Sequence, residues 1–131
     1  MSISLTVQDT TLFGEQTSAL SLDFLTETIT ARELIRERIY EEVRGYNAST
    51  PEYFRGLVQP SDAEVTLNGM RLPKRRHIDW EEQYRLALEA FTRNGFFILV
   101  DERQVENLDE TFTITPATQV SFIKLVPLVG G

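Results

Sequence analysis

The group with most chemical reach in this sequence is the α-carboxylate of Gly131, at the end of the stretch Gln119 to Gly131, QVSFIKLVPLVGG. Glycine has no Cβ, so the pair Gly130-Gly131 can thread a channel too narrow for other residues and bring that carboxylate to a catalyst. A free carboxylate does not react with amines or sulfur donors in water, because its leaving group would be oxide. Activation as an acyl-adenylate solves this, with ATP and magnesium held by whichever protein performs the step. This chain carries no G-x-x-x-x-G-K-[ST] phosphate loop, so it reads as the substrate of an adenylating enzyme and not as the enzyme. Cysteine is absent, which excludes disulfides, thiolate nucleophiles, thiolate metal ligands and a side-chain thioester. His77, the single histidine, has no triad or metal-site companions at useful spacing and reads as structural or solvent-facing. No catalytic residue, cofactor site or metal site of the chain's own is expected.

Elements must exist to carry that end. A chain of 131 residues is long enough for a single core, and its apolar content of 41% with 25% charged residues is that of an ordinary globule. The net charge of −7 argues against nucleic acid as a partner and for partners with basic surfaces. No apolar run is long enough for a membrane span, and the first residues lack the basic-then-apolar order of a secretory signal; a cytoplasmic protein is expected.

Residues 3–8 alternate with Ile3, Leu5 and Val7 on one face, a half-buried strand. A turn containing Gly14 follows, and residues 19–25, with Leu20, Leu22 and Phe24 aligned, read as a second strand pairing back on the first. Thr30 followed by Glu33 makes a capping box, with Ile29 and Leu34 as its hydrophobic staple. Ala31, Leu34, Ile35, Ile39 and Val43 then mark one face of a helix, ended at Gly45. The charged residues of this helix, Glu33, Glu37, Glu41, Arg32, Arg36, Arg38 and Arg44, read as a solvated face.

Between residues 46 and 78 proline and glycine recur too often for long elements, although Asn68-Gly69 suits a type I′ hairpin turn between residues 64–67 and 70–72. The basic cluster Lys74-Arg75-Arg76-His77 reads as a charged loop. A second helix starts at Asp79 and Glu82, carries Trp80, Tyr84, Ala87, Leu88 and Phe91 on one stripe, and ends at Asn94-Gly95. The run FFILV at 96–100 is a central strand, Asp101-Glu102 a tight turn, and 104–108 a short edge strand. Residues 108–114 cross one end, and Thr115-Pro116-Ala117-Thr118 turns the chain into the last strand.

These elements assemble as an α+β layer pair, a mixed sheet with one main helix across a face. The compact solution sets the C-terminal strand parallel to the first strand at the sheet centre. Residues 96–131 resemble the closing part of a ubiquitin-like β-grasp protein of the molybdopterin synthase small-subunit and thiamine sulfur-carrier type. The likeness rests on the order of elements together with Phe122, Pro127 and Gly130-Gly131. The resemblance implies one ubiquitin-like domain over residues 1–131, with residues 46–94 as a helical and hairpin insert absent from the small sulfur carriers. That family commonly has Gly or Asn where Asp101-Glu102 stands here. It also implies activation at Gly131 and Gly130 by an adenylating enzyme of the ubiquitin-activating type, which binds the ATP and magnesium. Two outcomes then stay open: transfer to an amine of a target protein with a conjugating enzyme, as in a bacterial-type ubiquitin-like modifier, or a thiocarboxylate delivered to a sulfur-accepting synthase. A non-conjugated β-grasp interaction module is the third reading. Partner contacts are expected from Val129, Leu128, Pro127, Val126, Leu125 and Phe122. Lysine is scarce, Lys74 and Lys124 alone, which disfavours self-linked chains.

Overall fold

The computed structural model describes residues 2–73 and 76–125. Strand β1 (Ile3–Thr10) turns through residues 11–15 into β2 (Gln16–Phe24), antiparallel in register from Ile3 against Phe24. The last described strand, β9 (Val120–Lys124), lies parallel to β1 from Val7 against Val120 to Thr10 against Ile123. On its other side β9 pairs antiparallel with β6 (Phe96–Val100), and β6 with the two-residue β7 (Arg103–Gln104). The sheet order is therefore β2-β1-β9-β6-β7, a mixed sheet with β9 at its centre. Helix α1 (Ala31–Ser49) covers one face and α2 (Trp80–Thr92) packs beside it. No helix among the described residues is long and apolar enough to cross a membrane.

The alternation in β1, β6 and β9 explains this layering. Leu5, Val7, Phe96, Ile98, Val120 and Phe122 are fully or almost fully buried on the face that α1 meets with Leu34, Ile35 and Ile39. Burying one such side chain is worth roughly 1.5–3 kcal/mol, so these positions hold the sheet and helix together. Residues Asp101 and Glu102 both take positive φ, +48° and +70°, the two-residue turn geometry that matches strand twist.

Five readings from sequence change in the folded chain. Gly45 does not end α1, which runs four residues further to a left-handed cap at Thr50, whose N–H donates to Tyr46 O at 2.7 Å. The stop signal is Pro51, which disfavours helical backbone at the residue before it and brings no N–H of its own. The hairpin forms between β4 (Glu64–Thr66) and β5 (Gly69–Arg71), but its two-residue loop is Leu67-Asn68. Gly69 alone carries the positive φ, at +132°, so the register sits one residue earlier than an Asn-Gly I′ turn demands.

At α1, Thr30 Oγ1 caps Glu33 N–H at 3.1 Å, while the Glu33 carboxylate accepts from the Thr30 hydroxyl. The return bond to backbone is not made, since Thr30 belongs to β3 (Thr28–Thr30), which pairs with β8 (Thr111–Thr113). This second small sheet escaped the sequence reading. Its segment satisfies two orphan amides of α1, Ala31 N–H to Glu110 O and Arg32 N–H to Leu108 O, each 3.0 Å. At α2, Asp79 caps Glu81 N–H and not Glu82. Finally, Arg38 is not on a solvated face: it is 3% exposed.

Candidate functional site

The candidate site is the end of the sheet where β9 leaves it. Phe122, expected among the partner contacts, has no exposed surface, because alternation turns it inward with Val120 against the α1 side. It serves the core instead. Leu125 is 37% exposed and its N–H reaches Gly95 O at 3.4 Å, the last such bond among the described residues. Val126, Pro127, Leu128, Val129, Gly130 and Gly131 lie outside the described residues, as do Lys74 and Arg75.

Beneath this exit sits an ion cluster. Asp9, near the end of β1, takes a two-pronged contact from Arg38 of α1, with Nη2 to Oδ2 at 2.7 Å and Nη1 to Oδ1. Arg38 Nε donates to Glu42 Oε2 at 3.2 Å, and its guanidinium lies 4.6 Å from the centre of the Phe122 ring. Ser18 Oγ donates to Asp9 Oδ2 at 3.0 Å, and Lys124 Nζ stands 3.7 Å from the same oxygen. Glu42 Oε1 accepts from Leu57 N–H at 3.0 Å, and Lys124 Nζ donates to Gly56 O at 3.3 Å. The cluster thus ties β1, β9 and α1 to the segment that precedes the hairpin. No buried side-chain polar atom among the described residues is left without a partner.

Its electrostatics follow from this geometry. Burial by itself would raise the Asp9 carboxyl, but the hydrogen bonds and charge of Arg38, with Lys124 and Ser18, outweigh it and hold the carboxyl below its usual value. Burial pushes the Glu42 carboxyl up, and there it wins: the charge of Arg38 and the Leu57 N–H only partly offset it. Arg38 is held above its ordinary value, its carboxylate partners overcoming desolvation.

Around the exit three large apolar side chains stand exposed among polar ones. β1 and β9 run parallel, so the β1–β2 turn lies at the end where β9 leaves, and there Leu12 and Phe13 are 61% and 98% exposed. Leu67, at the tip of the β4–β5 hairpin, is fully exposed and lines a cleft of about 450 Å³ with Thr10, Thr11, Ser18, Gly56 and Lys124. Of the basic cluster, Arg76 is paired with Asp62 and His77 is exposed. No group of three or more His, Asp or Glu among the described residues could hold a metal ion.

The sequence reading missed Asp9 and Arg38 as partners. A signal existed: Leu34, Arg38 and Glu42 form an i, i+4 row inside the apolar stripe of α1, a place where a charge must find a buried counter-charge. Asp9 likewise continues the inward parity of Leu5 and Val7.

No protein-family model, curated protein or solved structure matches this chain.

Proposed function

We propose that the chain is a ubiquitin-like β-grasp modifier, whose Gly131 carboxylate is adenylated by a partner enzyme and then transferred to an amine of a target protein. The observation that carries the reading is the central β9, parallel to β1, which in sequence precedes the diglycine segment and ends where Leu12, Phe13 and Leu67 are exposed. The sheet order and the covering helix support the β-grasp assignment, with residues 46–94 as the insert, of which 46–49 complete α1 and α2 packs against that helix. In the first step the Gly131 carboxylate attacks the α-phosphorus of ATP and pyrophosphate leaves, giving the acyl-adenylate. In the second a neutral amine attacks the acyl carbon, AMP leaves with the bonding electrons, and the amine loses its proton to form the amide. Both steps belong to partner enzymes, which bind the ATP and magnesium. Leu125 and the tail side chains Val126, Pro127, Leu128 and Val129 are assigned to burial in the partner's groove, each large apolar one worth roughly 1.5–3 kcal/mol if fully covered.

The test is intact mass spectrometry after incubation with ATP and an extract of the source cells. The expected outcome is an adduct joined through Gly131 to a lysine of another protein, abolished by deleting Gly130 and Gly131. A mass gain equal to the difference between sulfur and oxygen identifies a sulfur carrier instead. An unchanged mass, with partner binding retained by the deletion variant, overturns both and leaves an interaction module.

A further inference from the structure

Helix α1 ends without a basic residue in its last turn. Thr50 N–H donates to Tyr46 O at 2.7 Å, but Pro51 has no N–H to offer Asn47 O. Arg44, just before that turn, is held by Glu41 at 2.8 Å. The C-terminal end of a helix carries a partial negative charge that a nearby cation stabilises. Against this end, residues 51–55 fold back and leave a cleft of about 500 Å³, lined on the helix side by Glu42, Gly45 and Tyr46.

The lining defines what would fit. Gly45 shares a face of α1 with Glu42 and is exposed, and nothing lies within 4 Å of where its Cβ would stand, so the helix is open there. The Glu42 side chain is 10% exposed and receives only Nε of Arg38, at 3.2 Å, because both Nη groups go to Asp9. The other groups that act on it are Leu57 N–H and, at longer range, the Asp9 carboxylate. Burial outweighs the favourable contacts, so Glu42 is the carboxylate of the cluster left short of positive charge. Glu52 adds a second, exposed carboxylate. Tyr46 and Phe54 meet edge to face at 5.3 Å, and half-buried Tyr53 adds further aromatic surface. Arg55 is the one cation among the lining residues, and Asn68 O draws its Nε toward the hairpin at 3.1 Å. Aromatic rings beside carboxylates and a helix C-terminus suit a cation carried on an apolar stem.

We infer that this cleft receives the side chain of a lysine from a partner protein, its methylenes against Tyr46, Tyr53 and Phe54 and its ammonium between Glu42, Glu52 and the end of α1. The exposed Gly45 side leaves room for a protein surface to approach, and the net charge of −7 attracts basic ones. The cleft is built by α1 and residues 51–55, and its test needs no activation of Gly131, so the outcome leaves the conjugation reading as it stands.

An NMR titration of the full chain with Nα-acetyl-lysine N-methylamide tests it, with the norleucine analogue, which lacks the ammonium, as the neutral control. The expected result is saturable shifts confined to Glu42 to Tyr46 and residues 51–57, with the norleucine compound at least about tenfold weaker. Glu42→Gln and Glu52→Gln should each weaken binding, Gly45→Leu should block it by filling the cleft, and Arg55→Gln should strengthen it. Binding should tighten as pH rises through the folded value of Glu42, whose ionised form attracts the ammonium, and this dependence should flatten in Glu42→Gln. The amides of β1, β6 and β9 report whether each variant is folded; should Glu42→Gln unfold, the other three variants carry the test. No shift at tens of millimolar overturns the proposal, as do shifts away from the cleft or equal binding of the norleucine compound. Binding of free butylammonium without binding of the capped lysine also overturns it, in favour of a small amine.

Discussion

At the scale of single residues, the decisive pair is Asp9 and Arg38. Each is 3% exposed, so removing either leaves a buried charge without its main partner, Arg38 keeping only Glu42 and Asp9 only Lys124 and Ser18. Asp9→Ala is expected to lower stability by about 3–5 kcal/mol in urea titrations at neutral pH, the range found when one partner of a buried ion pair is removed. The pH dependence carries two signs. The folded-state carboxyl of Asp9 is depressed, so its contribution is present above the unfolded value near 3.8 and is lost as pH falls through the lower folded value. Glu42 is raised above 4.5, so its contribution is fully present below that value and is lost as pH rises through its folded value. Stability measured from pH 7 downward should therefore hold or rise slightly while Glu42 protonates, then fall below about pH 4 as Asp9 does. In Asp9→Asn the final fall should be shallower. An unchanged acid limb would show that Asp9 does not carry it.

For the secondary elements, α1 offers the cleanest test. Gly45 lies in its interior, is exposed, and a Cβ built there meets nothing within 4 Å. Glycine at such a site costs roughly 0.5–1 kcal/mol relative to alanine, so Gly45→Ala should stabilise by that amount and raise the thermal midpoint. Had Gly45 been the cap, the same change would destabilise, because a left-handed cap penalises a side chain. The helix instead pays its conformational cost at Thr50, φ +40°, where Pro51 forces the exit.

Across the whole molecule, residues 50–78 and α2 are fastened to the sheet and α1 by a few specific contacts. Asn47 exchanges two hydrogen bonds with Ile78, Gln83 donates to Val58 O at 3.1 Å, and Lys124 reaches Gly56 O. Gly56 sits against the Phe54 ring, itself buried and edge-on to Tyr46 at 5.3 Å. A Cβ at Gly56 would meet that ring at 2.1 Å. Gly56→Ala should therefore cost about 1–3 kcal/mol through overpacking. Amide exchange should rise first in residues 53–72, while β1, β6 and β9 keep their protection. Uniform loss across the sheet would mean that this segment and the sheet open as one unit.

What the amino-acid order determined alone is whatever depends on neighbours along the chain. Alternation in residues 3–8 and 96–100, the Thr30 cap, the three- and four-residue stripes of α1 and α2, and the turns at Asp101-Glu102 and Thr115 to Thr118 were all legible, because period and capping are local. Placing β9 parallel to β1 was also within reach, since few layouts let one helix cover such a sheet. Tertiary structure decided the rest. β3 and β8 are three-residue strands that exist only because each finds the other across the fold, and Phe122 changed from surface to core once β9 had neighbours on both sides. Arg38 and Asp9 are 29 residues apart in sequence, and only the docking of α1 on β1 makes two isolated charges into one buried pair. A charge is tolerated inside a protein only beside its opposite, and which opposite that is depends on the three-dimensional meeting of elements and not on local sequence.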